Sequence, residues 1–260
     1  MINICIYQID NREPETFYLE KTMKINKRTA KKLNYDYQFI KMNVDHNIHP
    51  CTYKIIEMDK LIKNSRYNII IFLDSDAWCN DPINLDKIVT LLIDSDKNGC
   101  YSREGFMEIP WNKDIPPLMS LIKDTKNNDL TSGYHNNYNY INSGYHNNTY
   151  INSGGFILKV NDSIKKMYQE LVSKLYINPE YINIWPYDQY YISNYVFENR
   201  DNFIIFNDNI LNKPQGQIIR HNWWKNEQMH IDLDFLIDND ININHQPDFI
   251  IEQHLCKEYK

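Results

Sequence analysis

Two carboxylates one residue apart, Asp74 and Asp76, close an unbroken apolar run, Ile69-Ile70-Ile71-Phe72-Leu73. Anions that close repel each other unless a cation joins them, and a hard divalent ion with phosphate oxygens completing its shell would do so. The run reads as a strand buried on both faces, as in a parallel sheet. Ligands of open α/β sheets lie just past the carboxyl ends of such strands, so both acids are expected at the rim of a cleft. A bare Asp-x-Asp also suits a strand end whose solvated acids cap the next helix. The apolar run before it and the motifs after it favour the metal site.

Three further stretches carry chemistry. Asn152-Ser153-Gly154-Gly155 leads into a strand-like Phe156–Val160. Asp188 and Gln189 follow Pro186-Tyr187 in the first turn of a helix expected to run to about Phe197, where a carboxylate also complements the helix dipole. Ile218-Ile219-Arg220-His221 ends in a histidine beside Trp223, Trp224 and Lys225. A lone histidine there is usually structural, but in an aromatic, phosphate-binding loop it gains weight as a ligand.

The elements that must position these residues are legible in order. Ile2–Tyr7 reads as a first strand with a loop from Gln8 at the same rim as Asp74. Glu15–Leu33 has apolar residues at helical spacing (Phe17, Leu19, Met23, Ala30, Leu33) and a basic face of Lys21, Lys24, Lys27, Arg28, Lys31 and Lys32. That face is expected to be solvated, with one member able to reach a diphosphate. Tyr35–Met42 reads as a strand, Tyr53–Ile62 as a helix, and the next strand ends at Asp74. This order implies right-handed crossovers and an α/β fold with a mostly parallel sheet. Asp81-Pro82 marks a turn, Leu85–Ile93 a helix, Gly99–Ser102 a strand, Asp162–Leu175 a helix capped by Asp162-Ser163, and Phe203–Phe206 a strand. Between them, residues 104–128 read as a proline-marked loop that could serve as an acceptor lid. Two near-copies, Ser132–Asn142 and Ser143–Asn152, read as a duplicated loop insertion over 131–152, with the last Asn-Ser-Gly the working copy. Its histidines, His135 and His146, read as products of the duplication, not as metal ligands. One domain is expected over 1–230, followed by an acidic, Asn-rich tail over 231–260 that could fold back on it.

Composition narrows the class. A chain of 260 residues with 42% hydrophobic and 13% aromatic content can bury a sizeable core. A net charge of -6 argues against nucleic acid or an anionic membrane as main partner. The abundant Tyr, Trp and Asn suit a cleft that stacks on sugars and bonds hydroxyls. The five cysteines are scattered without a Cys-x-x-Cys pair, which fits a reducing compartment and excludes a disulfide framework or a zinc site. No apolar run approaches the roughly 20 residues that span a bilayer, and no leader-type segment opens the chain, so a cytoplasmic protein is expected.

Taken together and in order, Phe72-Leu73-Asp74-Ser75-Asp76-Ala77, Asn152-Ser153-Gly154-Gly155-Phe156, Tyr187-Asp188-Gln189 and Arg220-His221-Asn222-Trp223-Trp224-Lys225 resemble retaining glycosyltransferases of the GT-A fold. The nearest likeness is to the galactosyl/xylosyl/mannosyltransferase family of the yeast mannan and plant xyloglucan enzymes, glycosyltransferase family thirty-four. Asn26-Lys27-Arg28, Leu33–Tyr37 and Lys54 look like its N-terminal pattern, and the glycogenin-like family shares much of the set. The resemblance covers residues 2 to about 225. It implies a Rossmann-like single domain, a nucleotide-sugar donor (usually a UDP-sugar, or GDP-mannose in the yeast branch), and a glycan, protein or small-molecule acceptor. By match, Asp76 and His221 hold a metal, and Asp74 binds the metal or the donor's ribose. Lys225 holds the diphosphate, and Asn152, Ser153 and Gly154 line the donor sugar. Asp188 and Gln189 match the acid-and-amide pair beside the anomeric carbon.

The chemistry agrees. Glycosyl transfer develops negative charge on the departing diphosphate, which a divalent ion and a lysine stabilise most at the transition state. An imidazole among oxygen ligands favours Mn2+ over Mg2+. Gln189 is too weak a nucleophile for double displacement, so retention implies a front-face route in which the leaving phosphate helps deprotonate the acceptor. Asp188 would then orient sugar or acceptor, a role that full activity of Asp188→Asn would remove. A phosphohydrolase of the haloacid-dehalogenase type also starts from a strand and Asp-x-Asp. It wants Thr or Val where Trp78 stands, and its motif lies near the N-terminus. A catalytically silent nucleotide-sugar or glycan-binding protein is the remaining alternative, against which the intact acid, amide, imidazole and lysine set argues. A sugar nucleotidyltransferase wants a Gly-rich phosphate loop, and Gln8–Glu15 has no glycine.

Overall fold

The structure is a computed structural model that describes residues 2–16, 18–45, 47–104, 150–177, 182–183, 187–207, 210–223 and 225–256. The expected lid after Glu104, the duplicated loop before Tyr150 with His135 and His146, Phe17, Pro186 and Trp224 lie outside them.

The elements run β1 (Ile4–Asp10), α1 (Leu19–Leu33), β2 (Asp36–Lys41), α2 (Pro50–Asn64), β3 (Ile69–Asp74), β4 (Ala77–Cys79), α3 (Pro82–Asp94), β5 (Gly99–Glu104), β6 (Tyr150–Ile151) and β7 (Gly155–Lys159). They continue with α4 (Asp162–Leu175), α5 (Tyr187–Glu198), β8 (Phe203–Phe206), β9 (Leu211–Lys213), β10 (Ile219–His221) and α6 (Glu227–Asp238). Seven strands form the main sheet in the order β2-β1-β3-β7-β5-β6, with β8 on the other edge of β5. β1 is parallel to β2 and β3, β5 is parallel to β8, and β7 runs antiparallel between β3 and β5. With β6 also antiparallel to β5, only β6 and β7 oppose the common direction.

Alternation along β3 builds the layers. Ile70 and Phe72 face a core closed by Ile55, Met58 and Ile62 of α2 and Met167, Tyr168 and Leu171 of α4. Ile69, Ile71 and Leu73 face the opposite core, closed by Ala30 of α1 and Leu85, Ile88, Val89 and Leu92 of α3. Helices on both faces explain why this strand reads as uninterrupted apolar sequence.

The first strand differs from expectation. It runs to Asp10, not Tyr7, because pairing with β3 continues to Ile9–Asp74, and this draws Gln8 into the sheet instead of a loop. The first helix starts at Leu19, not Glu15, after a turn in which Thr16 N–H donates to Glu13 O (3.0 Å). Asn161, one residue before the expected pair, caps α4 by accepting from Ile164 N–H (2.9 Å). Asp81 caps α3 in the same way, with Pro82 in the first turn where its missing N–H costs nothing.

A small second sheet runs in the order β4-β10-β9. Here β4 pairs antiparallel with β10, setting His221 opposite Ala77 and therefore beside Asp76. The basic face of α1 serves α6: Lys21 pairs with Asp234 (2.5 Å), and Arg28 donates to the terminal carbonyls of Leu236 (2.8 Å) and Ile237 (3.0 Å). Among the described residues, no lysine or arginine of α1 bonds to the Asp74–Asp76 turn. The acidic C-terminal stretch packs back on the domain, burying Met229, Leu233 and Leu236 against Leu19, Met23 and Trp78. Further along it, Cys256 N–H donates to Ile205 O on β8 (2.8 Å).

Candidate active site

The turn from Asp74 to Ala77 is gripped from behind by three fully buried polar side chains. The Gln8 amide donates to Thr22 Oγ1 (2.9 Å) and to the carbonyls of Asp74 (3.3 Å) and Ser75 (3.2 Å). Thr22 donates to Ser75 O (2.7 Å). Asn26 donates to Ala77 O (3.1 Å) and Gln8 Oε1 (3.2 Å), and it accepts from Cys79 N–H (3.0 Å). Asn26→Ala strands Cys79 N–H and Ala77 O in the interior, while Gln8 Oε1 keeps the Tyr37 hydroxyl (2.9 Å), so a stability loss of about 1–3 kcal/mol is expected in chemical denaturation. A neutral result would show that the turn holds itself.

A second holding point is a gap in the sheet. β6 and β7 both pair with the same edge of β5, Tyr150 with Glu104 and Ile157 with Cys100; Asn152 N–H still donates to Ser102 O (3.2 Å), and Ser153 and Gly154 fall in the break between them. Freed from the ladder, this backbone turns to the site: Gly154 O accepts from Asp74 N–H (2.7 Å), and Gly154 N–H donates to Asn152 Oδ1 (2.8 Å). Ser153 Oγ donates to Asp188 Oδ2 (3.0 Å), which joins α5 to the cleft.

The expected ligands converge. Ligand atoms of Asp74, Asp76 and His221 lie within 4.8 Å of one another. His221 Nε2 is 3.1 Å from Asp76 Oδ1 and 3.8 Å from Asp74 Oδ2. Two carboxylates and an imidazole converging on one point fit a divalent cation of borderline hardness. Lys225 reaches Asp76 Oδ2 at 2.7 Å from a left-handed backbone (φ 49°) that follows the short β10. Asn222 N–H donates to Asp76 O (3.0 Å), fastening that loop to the turn. Gln189, Asp188's neighbour on α5, is buried but joins none of these bonds.

Two groups that the sequence reading did not place in the site belong to it. Lys54 of α2 is buried and donates to Asp74 Oδ1 (2.9 Å) and Oδ2 (3.2 Å), while standing 3.4 Å from Asp188 Oδ2. Its sequence signal was a lysine adjoining the apolar stripe Ile55, Met58 and Ile62. Arg12, clamped by Asp10 (Nη2 to Oδ2, 2.5 Å), donates to Ser75 Oγ (2.8 Å). Arg12 and Lys225 lie over the Tyr18 ring, 5.1 and 5.4 Å from its centroid. A helix that reads as simply basic and amphipathic gives no hint of this aromatic anchor at its start.

The charges shift one another. Burial raises the carboxyl of Asp76, but His221 and Lys225 outweigh it and hold Asp76 well below the usual carboxylate range. Burial raises Asp74, and Lys54 and His221 only partly offset this. Burial lowers His221, yet Asp76 and then Asp74 overcome it, so the imidazole stays protonated above its ordinary 6.5. The stabilisation from protonated His221 is therefore full below pH 6.5 and lost as pH rises through the raised value. A metal held by Asp74, Asp76 and His221 would need the neutral imidazole, so its binding would expel this proton. Mn2+ affinity is expected to climb about tenfold per pH unit below the raised value and then level off. Titration calorimetry in two buffers of different ionisation enthalpy checks this, and pH-independent affinity without proton release would remove His221 from the ligand set.

No protein family model matches the chain, and no curated protein matches it. Among solved structures, the chain aligns with one described as a glycosyltransferase involved in the glycosylation of the major capsid of PBCV-1. The TM-score is 0.55 at 16% identity, covering 91% of this chain and 100% of that one. A 4-diphosphocytidyl-2C-methyl-D-erythritol synthase from Anaerococcus prevotii DSM 20548 aligns at TM-score 0.47 and 9% identity, covering 91% and 96%. Mouse xyloside xylosyltransferase 1 aligns at 0.44 and 11%, covering 81% and 86%. The first alignment is a likeness of fold. The chain is a single-domain α/β protein of GT-A type, as its sequence led one to expect. Among the described residues, no helix is long and apolar enough to cross a membrane.

Proposed function

We propose that this protein is a divalent-cation-dependent glycosyltransferase that moves a sugar from a nucleotide-sugar donor to a hydroxyl acceptor. The observation that carries the reading is the convergence of Asp74, Asp76, His221 and Lys225 at the end of β3, with Asp188 held across the cleft by Lys54 and Ser153. A cation held by Asp74, Asp76 and His221 would supply charge stabilisation for a departing diphosphate. Lys225, fixed against Asp76, offers an ammonium to the same phosphates. Gly154 and Ser153 bring backbone to the place of the donor sugar. Asp188 faces the anomeric side, where it orients the sugar or the acceptor hydroxyl. Imidazole in the donor set favours Mn2+ over Mg2+. From the family resemblance we infer a UDP-sugar, hexosyl or pentosyl, and transfer with retention. A glycan, a protein or a small molecule can each offer the hydroxyl, and the capsid role of the viral neighbour makes a protein-borne acceptor a sensible first choice. The described cysteines are free thiols, which suits a cytoplasmic setting.

The test is a thermal-shift panel of UDP, GDP and their sugar conjugates, with and without Mn2+, followed by released-nucleotide assays on whichever donor stabilises. A ligand that binds only the folded state raises the melting temperature by mass action. One nucleotide class stabilising in a Mn2+-dependent way is the expected result, and NMR of the product anomer then reads retention. No nucleotide effect in any combination overturns the proposal.

A further inference from the structure

We propose that Lys54 is a positioning residue shared between the two halves of the site, and that it shifts from Asp74 to Asp188 when a divalent cation takes up the Asp74 oxygens. The inference rests on the reading of the site as a metal-dependent transferase centre.

Lys54 is placed by α2, whose apolar stripe locks against the sheet. Its side chain is 6% exposed, and its ammonium lies 5.3 Å from the centroid of the Phe72 ring. An ammonium has three protons to give. Four acceptor atoms compete for them: Asp74 Oδ1 at 2.9 Å, Asp74 Oδ2 at 3.2 Å, Asp188 Oδ2 at 3.4 Å and Ser153 O at 3.5 Å. The distances rank the partners. Asp74 takes the ammonium with both oxygens, and Asp188 keeps a stretched ion pair plus the Ser153 hydroxyl at 3.0 Å. A carboxylate that is 1% exposed gains from any closer approach of a cation.

The Asp74 oxygen nearest His221 is one of the two that Lys54 holds. A divalent cation gathered by Asp74, Asp76 and His221 therefore draws on lone pairs that Lys54 already occupies. Two cations crowded on one carboxylate repel, and the ammonium has a prepared alternative at Asp188 and Ser153 O. Lys54 thus weakens cation binding while the donor is absent, and it answers that binding by tightening on Asp188. The coupling is reciprocal. In this way Asp188, already held by the Ser153 hydroxyl, gains its close pairing with Lys54 only in a loaded site.

The sign of the coupling makes it testable. Mn2+ is titrated calorimetrically into nucleotide-free wild type, Lys54→Met and Lys54→Arg, alongside kcat and KM for the donor. Lys54→Met is expected to bind Mn2+ about five- to twentyfold more tightly, a normal size for coupling between neighbouring charges. Its kcat should fall about a hundredfold, as Asp188 loses its positioning partner. Lys54→Arg, which keeps the charge, should restore Mn2+ affinity to near the wild-type value. A residue that merely held the fold would lower affinity and turnover together. If Lys54→Met does not fold, Lys54→Met/Asp188→Asn removes one charge of each sign and should still bind Mn2+ more tightly than Asp188→Asn alone. Unchanged or weaker Mn2+ affinity in the folded Lys54 variants overturns the proposal. Wild type that binds no Mn2+ overturns the metal-centre reading itself, an outcome visible before any variant is compared.

Discussion

Asp76→Asn is expected to bind Mn2+ at least about a hundredfold more weakly and to lose about a thousandfold in kcat/KM, the scale of several kcal/mol of charge stabilisation. Asp76 is where the site's cations meet: His221 Nε2 and Lys225 Nζ approach its two oxygens at 3.1 and 2.7 Å. The amide keeps the shape and removes the charge. Lys225 then loses the carboxylate it approaches at 2.7 Å, and the imidazole loses the neighbour that raised its basicity. The stability arm of the experiment has a definite sign. Because the folded carboxyl is held below its ordinary value, wild-type Asp76 contributes stability above the unfolded value near 3.8, and that contribution is lost only as pH falls toward the lower folded value. At neutral pH the variant should therefore melt earlier, and near pH 3 the gap should narrow. Full activity of Asp76→Asn, insensitive to chelator, would sink the metal centre.

Gly154→Ala is expected to weaken Mn2+ binding about ten- to a hundredfold, as when the support of a metal ligand is lost. A methyl group at 154 would overlap Cε1 and Nδ1 of the His221 imidazole. The backbone has no room to retreat. Its carbonyl is fixed by Asp74 N–H (2.7 Å), its N–H by Asn152 Oδ1 (2.8 Å), and Gly155 beyond it is packed on Asn212. The ring must move instead, at about 1–3 kcal/mol of overpacking. The double variant Gly154→Ala/His221→Ala gives the clean reading. If the whole effect passes through the ring, it should regain the stability lost by Gly154→Ala and bind Mn2+ no worse than His221→Ala. Wild-type affinity in Gly154→Ala would mean that the imidazole is not a ligand.

Much of this site was open to reading because its residues break the pattern of their own elements. Asp74 and Asp76 end an apolar run, His221 ends another, and Asp188 opens a helix. Lys54 stood in the family pattern without a role, because one lysine at the margin of an apolar stripe is ordinary for a half-buried helix, and only the three-dimensional meeting with Asp74 and Asp188 gives it one. Gln8, Thr22 and Asn26 were harder still. Buried polar side chains that serve backbone groups look like surface residues until their partners are known. The parallel direction of β1, β2 and β3 followed from strand-helix alternation. The reversed β7 did not, because nothing local in Phe156–Leu158 distinguishes a parallel from an antiparallel neighbour when both faces are covered.

The β4–β10 pairing has a consequence for how the molecule comes into being. Asp74 and Asp76 leave the ribosome with β1, β2 and Lys54 already made, whereas His221 and Lys225 follow long after them, and β10 must pair back to β4 across the intervening chain. Domains form from the N-terminal side as they are made, and such distant pairings close last. Until then Lys54 alone answers the charge of Asp74. On the proposed function, a nascent chain would thus shape its cleft among divalent ions without holding one tightly. On that reading the ability to hold a cation would come at one step, when β10 pairs with β4.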